Sequence, residues 1–242
     1  MSLIRLAIPK GSLQHSTIDL FKDAGWNIGT SSRSYFPSID DQDIECALVR
    51  AQEISRYVES GLFDIALTGK DWILENNSDV VEVADLIYSK VTYRPAKWVL
   101  AVDERSGIKT LKDLEGKKIA TELVNFTRNY FKERNIKVDV EFSWGATEAK
   151  VVDGLADAIV EVTETGSTIK AHNLKIIEEM LVTNTKLIAN KASWTDSSKR
   201  DKINQISMML KSALQATGMA GLKMNAPKEK LEAIIKMLPS IT

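Results

Sequence analysis

Residues 161–174 read EVTETGSTIKAHNL and set two carboxylates, Glu161 and Glu164, around and ahead of a hydroxyl-rich turn made by Thr165, Gly166, Ser167 and Thr168. The preceding run, ADAIVEV, predicts a buried strand, so the turn falls where a strand passes into a helix. A glycine there lets backbone approach a ligand closely, and free amides at a helix start, with Ser and Thr hydroxyls, donate to phosphate oxygens. One such helix end contributes roughly 0.3–2 kcal/mol toward an anion. The same residues also describe a plain cap in which Thr165, Ser167 or Thr168 holds the first amides. The carboxylates add something a cap does not need: they can accept hydrogen bonds from sugar hydroxyls or share a magnesium ion with phosphates. A solvated glutamate pair is the other account of them.

Further loops carry related chemistry. IPKGSL (8–13) follows the first predicted strand, so Lys10 and Gly11 fall at its C-terminal mouth, where open α/β sheets bind ligands. LTGKDW (67–72) repeats that logic with Gly69 and Lys70, and Asp71 there reads equally as a helix N-cap. It is not a Walker A loop, because the glycine spacing and the Ser or Thr after the lysine are missing. Arg33, Arg50 and Arg128 are further cations that could meet an anion, or simply surface arginines. With only two histidines and one cysteine, Cys46, neither a His/Cys metal cage nor an intramolecular disulfide can be built. Cys46 lies in an apolar run and is expected to pack in the core.

The elements that must hold these loops alternate throughout: strands predicted at 3–8, 44–49, 62–68, about 81–102, 117–122, 138–142 and 156–162, with helical patterns between them. That alternation predicts an α/β protein with mainly parallel sheets. TKLIANKA reads as a returning strand, followed by a long amphipathic helix ending at Gly218 that packs back on the first unit. Two lobes follow, 1–92 with 184–217 and 93–183, with a ligand cleft between them. The net charge of −1 across 242 residues gives no global field for nucleic acid or an anionic membrane, and no apolar stretch nears membrane-span length. The N-terminus lacks a secretory pattern, and a cytoplasmic location is expected.

Four stretches in order, IPKGSL, LTGKDW, ATELVNFTRNYF and GLADAIVEVTETGSTIKAHNL, together resemble the ATP phosphoribosyltransferase family, from about residue 3 to about 217. The resemblance implies a two-lobed fold like the type II periplasmic binding proteins. It implies that phosphoribosyl pyrophosphate donates its 5-phosphoribosyl group to N1 of ATP, with magnesium as cofactor, as the first step of histidine biosynthesis. Carried over, Glu161 and Glu164 lie near ribose hydroxyls and Thr165, Gly166, Ser167 and Thr168 hold the 5-phosphate. Lys10, Gly11, Arg33, Arg50, Gly69, Lys70 and Asp71 line the pyrophosphate and ATP side. No single general base is expected, since the reaction calls for positioning and charge stabilisation. Residues 218–242 resemble the start of the family's regulatory domain and then stop, which implies a truncated long form. A homodimer is expected, with a histidyl-tRNA-synthetase-like regulatory subunit if the chain behaves as a short form. A solute-binding protein or effector-binding domain of the same fold, without catalysis, is the alternative.

Overall fold

Runs such as Ile4–Lys10, apolar at nearly every position, suit strands covered on both faces. In the computed structural model, which describes residues 3–31, 34–88, 95–217, 219 and 224–237, they build one lobe from β1 (Ile4–Lys10), α1 (Gln14–Asp23), β2 (Ile28–Gly29), β3 (Ser38–Ile39), β4 (Ile44–Arg50), α2 (Ala51–Glu59), β5 (Ile65–Gly69), α3 (Lys70–Asn76) and β6 (Val81–Leu86). The chain then crosses to a second lobe: β7 (Ala96–Asp103), β8 (Lys118–Thr121), α4 (Val124–Glu133), β9 (Asp139–Phe142), α5 (Thr147–Val152), β10 (Ala158–Thr163), α6 (Ser167–Ala171) and β11 (Leu174–Thr183). It returns through β12 (Thr185–Ala189), α7 (Lys191–Thr195) and α8 (Ser197–Ala216), and α9 (Leu231–Met237) follows.

The sheet orders are β4-β1-β5-β12-β6 and β11-β7-β10-β8-β9. The expectation of mainly parallel sheets needs correction, because both are mixed: β12 runs antiparallel to β5 and β6, and β7 antiparallel to β10 and β11. The physical reason lies in the crossings. A strand fed by a helical crossover joins its neighbour in parallel, whereas β7 and β12 each arrive straight from the other lobe and enter their sheet from the opposite end. The C-terminal ends of the remaining main-sheet strands and the N-terminal ends of β7 and β12 therefore meet at one seam.

Alternate residues of each sheet feed opposite faces. Leu6, Ile8, Ile65 and Leu67 pack with Leu20 and Phe21 of α1 and with Ile203, Ile206 and Leu210 of α8. Ala7, Ala66 and Ile188 pack with Ile54, Val58 and Ile73 on the other side. Thus α8 does return to the first lobe, and Lys202 ties it down through Asp41 at 2.7 Å. In the second lobe, Trp98, Leu100 and Val160 meet Phe131 of α4, while Val99, Ala101 and Ile159 meet Val151 of α5 and Ile169 of α6. Each fully buried large apolar side chain contributes roughly 1.5–3 kcal/mol. Cys46 is buried as expected, and burial pushes its thiol up to about 12. Strand β11 was not foreseen. α9 buries no residue, and most of residues 218–223, where the resemblance to a regulatory domain begins, lie outside the described residues.

Candidate functional site

The seam between the lobes opens into a cavity of about 790 Å³, a size suited to a nucleotide-scale ligand. On the first-lobe side, parallel pairing sets Lys10 directly beside Arg50 at the ends of β1 and β4, and both line the cavity. Gly11 follows with φ +114°, which only glycine adopts readily, and the chain continues along the cavity wall through Ser12 and Leu13. The Lys10 ammonium sits 3.9 Å from the centre of the Tyr35 ring.

The facing wall is the 163–168 turn. Gly166 has φ +75°, and its amide donates to Thr163 Oγ1 at 2.7 Å. The Thr165 hydroxyl donates to Ser167 Oγ at 3.0 Å. The N-cap of α6 is Gly166, which has no side chain to cap with, but the Thr165 hydroxyl accepts from the Ser167 amide at 3.4 Å, so the plain-cap reading survives in part through Thr165. Glu164, Thr165, Ser167 and Thr168 line the cavity. Glu161 sits behind them, half-buried, with its carboxyl pushed up to about 7 by burial first, reinforced by the nearby charges of Glu148 and Glu122.

Helix α3 bolts the lobes together. Asp71 is not the N-cap of α3; that position is Gly69. Its carboxylate is instead buried at the seam, where the Trp98 indole donates to it at 2.7 Å and the Thr183 hydroxyl at 3.1 Å. Burial raises its pKa, while those two donors oppose the rise. A β-carbon at residue 69 would fall on the Asp71 carboxylate, so glycine there is a packing requirement. One turn later, Glu75 accepts from the amides of Asn125 and Phe126 at 3.0 and 2.9 Å, capping α4 from the other lobe. That start of α4 is therefore already satisfied by a protein carboxylate. Gln52 reaches across to Glu122 at 3.4 Å.

Of the residues marked in the sequence, the cavity gathers Lys10, Gly11, Arg50, Gly69, Asp71, Glu164, Thr165, Ser167 and Thr168. Lys70 does not line it and acts electrostatically on Asp85 instead. Arg33 lies outside the described residues. Arg128 donates to the Val140 carbonyl and belongs to a separate 430 Å³ pocket with Lys132 and Lys137. Sequence reasoning missed Glu122 and Trp144, which also line the cavity. Their signal was positional: each comes within two residues of the C-terminal end of a parallel strand. Among the described residues no group of three or more His, Cys, Asp or Glu could hold a metal ion. No helix among them is long and apolar enough to cross a membrane.

Comparison with known proteins matches residues 50–212 to the family model described as ATP phosphoribosyltransferase. Similar relatives named ATP phosphoribosyltransferase occur in Desulfatibacillum aliphaticivorans, 64% identical over 98% of this chain and 82% of the relative, and in Solidesulfovibrio magneticus, 64% identical over 100% and 82%. Among solved structures, the ATP phosphoribosyl transferase complex from Thermotoga maritima superposes with a TM-score of 0.75 at 28% identity, over 88% of this chain and 99% of that one. The periplasmic aliphatic sulphonate binding protein of Escherichia coli superposes with a TM-score of 0.56 at 16% identity, over 98% and 73%, a likeness of fold alone.

Proposed function

The chain belongs to the ATP phosphoribosyltransferase family, and we propose that the cleft between its lobes is where it performs that family's reaction. It is a pentosyltransferase that transfers the 5-phosphoribosyl group of phosphoribosyl pyrophosphate to N1 of ATP, the first step of histidine biosynthesis. The observation that carries the site assignment is that the 163–168 turn and the Lys10–Arg50 pair open from opposite lobes onto one cavity. The left-handed Gly166 and the hydroxyls of Thr165, Ser167 and Thr168 receive the 5-phosphate, exchanging their mutual hydrogen bonds for bonds to its oxygens. Glu161 and Glu164 accept from ribose hydroxyls. Lys10 and Arg50 face the pyrophosphate and triphosphate groups, Arg50 through a fork suited to paired phosphate oxygens.

In the reaction the N1–C1 bond forms as the C1–oxygen bond breaks, its electron pair leaving on pyrophosphate, and the adenine 6-amino group later gives up a proton to water. Positive charge develops at C1 and negative charge on the leaving group, so charges fixed across a closing cleft lower the barrier. Magnesium would fit as an ion shared with substrate phosphates, since the Glu164 carboxylate lines the cavity and Glu161 lies behind the same turn. Glu161 and Glu164 would hold it, and when bound it neutralises charge on pyrophosphate. The Thermotoga maritima relative was solved as a complex of two kinds of chain, which supports a regulatory partner subunit here too; a homodimer and a cytoplasmic setting complete the proposal. Purified protein given ATP, phosphoribosyl pyrophosphate and magnesium should release pyrophosphate and form phosphoribosylated ATP. Absence of both turnover and binding of phosphoribosyl pyrophosphate would refute the reading and favour a solute-binding protein.

A further inference from the structure

Glu122 and Trp144 line the cleft and take no part in the phosphate chemistry. Parallel pairing of β8 with β9 sets Thr121 beside Phe142, which brings Glu122 and the Ser143–Trp144 corner to the same end of adjoining strands. Both Glu122 and Trp144 line the cavity. Trp144 is 68% exposed there, whereas Trp26 and Trp98 are buried and Trp72 and Trp194 pack against the cores. Burying an indole is worth so much that one held in solvent on a ligand-sized cavity calls for a reason. The corner holding it is firmly built. The buried Ser143 hydroxyl donates to the buried Thr147 hydroxyl at 3.1 Å. Gly145 and Ala146 both take positive φ, 71° and 48°, and for alanine that left-handed backbone costs energy that the surroundings must hold in place.

Glu122 supplies the second half. Its carboxylate is half-buried at the cavity wall, with the Gln52 amide reaching it from the other lobe at 3.4 Å, a long contact. Burial raises its pKa, with the charge of Asp71 adding to the rise. A donor brought by a ligand would therefore relieve the ionised form. An aromatic face and a carboxylate acceptor lining one cavity from the ends of adjoining strands complement a flat heterocycle carrying an exocyclic amine.

We propose that Trp144 and Glu122 read the base of the nucleotide: the indole stacks on the purine, and the carboxylate accepts from its 6-amino group. A 6-oxopurine would turn a carbonyl oxygen toward the Glu122 carboxylate and be rejected. A site built to bond a donor discriminates strongly against an analogue that lacks it. The inference rests on the reading of the cleft as the ATP and phosphoribosyl pyrophosphate site, and it names the residues that select the base there.

Calorimetric titration of the full chain with ATP and with ITP, which differ at the 6-position, tests the pair without requiring turnover. The parent protein should prefer ATP by about tenfold or more. Glu122→Gln, whose amide can donate to a carbonyl oxygen, should bring the two nucleotides within about threefold of each other. Trp144→Ala should weaken both by roughly tenfold while keeping their ratio, with Trp144→Phe restoring most of the loss. An unchanged ATP to ITP ratio in Glu122→Gln, or unchanged nucleotide affinity in Trp144→Ala, overturns the pairing even if the enzyme turns over normally. Failure of the parent to bind either nucleotide overturns the pairing together with the reading of the cleft.

Discussion

Replacing Glu161 by Gln should stabilise the protein at alkaline pH and leave it unchanged in acid. The Glu161 carboxyl is pushed from 4.5 up to about 7, chiefly by burial and then by the charges of Glu148 and Glu122. Its folded pKa exceeds its unfolded one, so the fold favours the protonated form. The stability tied to that proton is complete below about pH 4.5 and is lost as pH rises through about 7. At pH 8 the ionised parent carries a penalty of about 3 kcal/mol at most, because each tenfold in proton affinity is about 1.4 kcal/mol. Water reaching the half-buried group trims this to about 1–3 kcal/mol. Gln keeps the size and still accepts from the Val162 amide, which Glu161 does at 3.0 Å. For a chain of this length each kcal/mol moves the thermal midpoint by about 2–4 °C, so the variant should melt several degrees above the parent at pH 8. The gap should narrow to about 1 kcal/mol near pH 5.5 and vanish near pH 4. Denaturant unfolding of both proteins across that range is the assay. A variant no more stable at pH 8, or one whose advantage is equal at every pH, would show that no buried charge is strained at Glu161.

Three further substitutions test the seam and the turn. Gly69→Ala should cost about 1–3 kcal/mol in chemical unfolding, since the new β-carbon displaces the Asp71 carboxylate from Trp98; an unaffected midpoint would mean the carboxylate is not anchored there. Glu75→Ala should lose about 1 kcal/mol and speed hydrogen exchange at the Asn125 and Phe126 amides that it now caps, whereas unchanged exchange would argue against a cap supplied across the lobes. In Gly166→Val, the left-handed backbone at φ +75° becomes strained although a β-carbon has room, its nearest neighbour being Ile176 at 3.9 Å. Calorimetry should therefore show at least about tenfold weaker binding of phosphoribosyl pyrophosphate with the fold retained; normal binding would remove the turn from the site.

Much of this was legible in the sequence because strand and helix periods are local. The runs that became β1, β4, β5, β8 and β10 stand out as short, mainly apolar stretches, and several of the turns after them identify themselves by glycine and hydroxyl content. Strand direction is not written in an apolar run, so the reversal of β7 and β12 came only with the crossings. β11 escaped notice because Lys175, Glu178 and Glu179 break its apolar pattern; it is an edge strand with exposed positions and two register shifts against β7. Asp71 carries the signature of a cap, yet Trp98 and Thr183, 27 and 112 residues away, determine where its carboxylate goes. Glu122 lies inside the ATELVNFTRNYF stretch, yet neither it nor Trp144 stood out until strand register brought their loops to one cavity.

The central claim is that the 163–168 turn holds the phosphate of the phosphoribosyl donor across the cleft from Lys10 and Arg50. A crystal structure with phosphoribosyl pyrophosphate and magnesium addresses it directly. Electron density for the 5-phosphate should lie within hydrogen-bonding reach of Thr165, Gly166, Ser167 and Thr168, with the pyrophosphate directed toward the first lobe. Density elsewhere, as in the basic pocket of Arg128, Lys132 and Lys137, would contradict it.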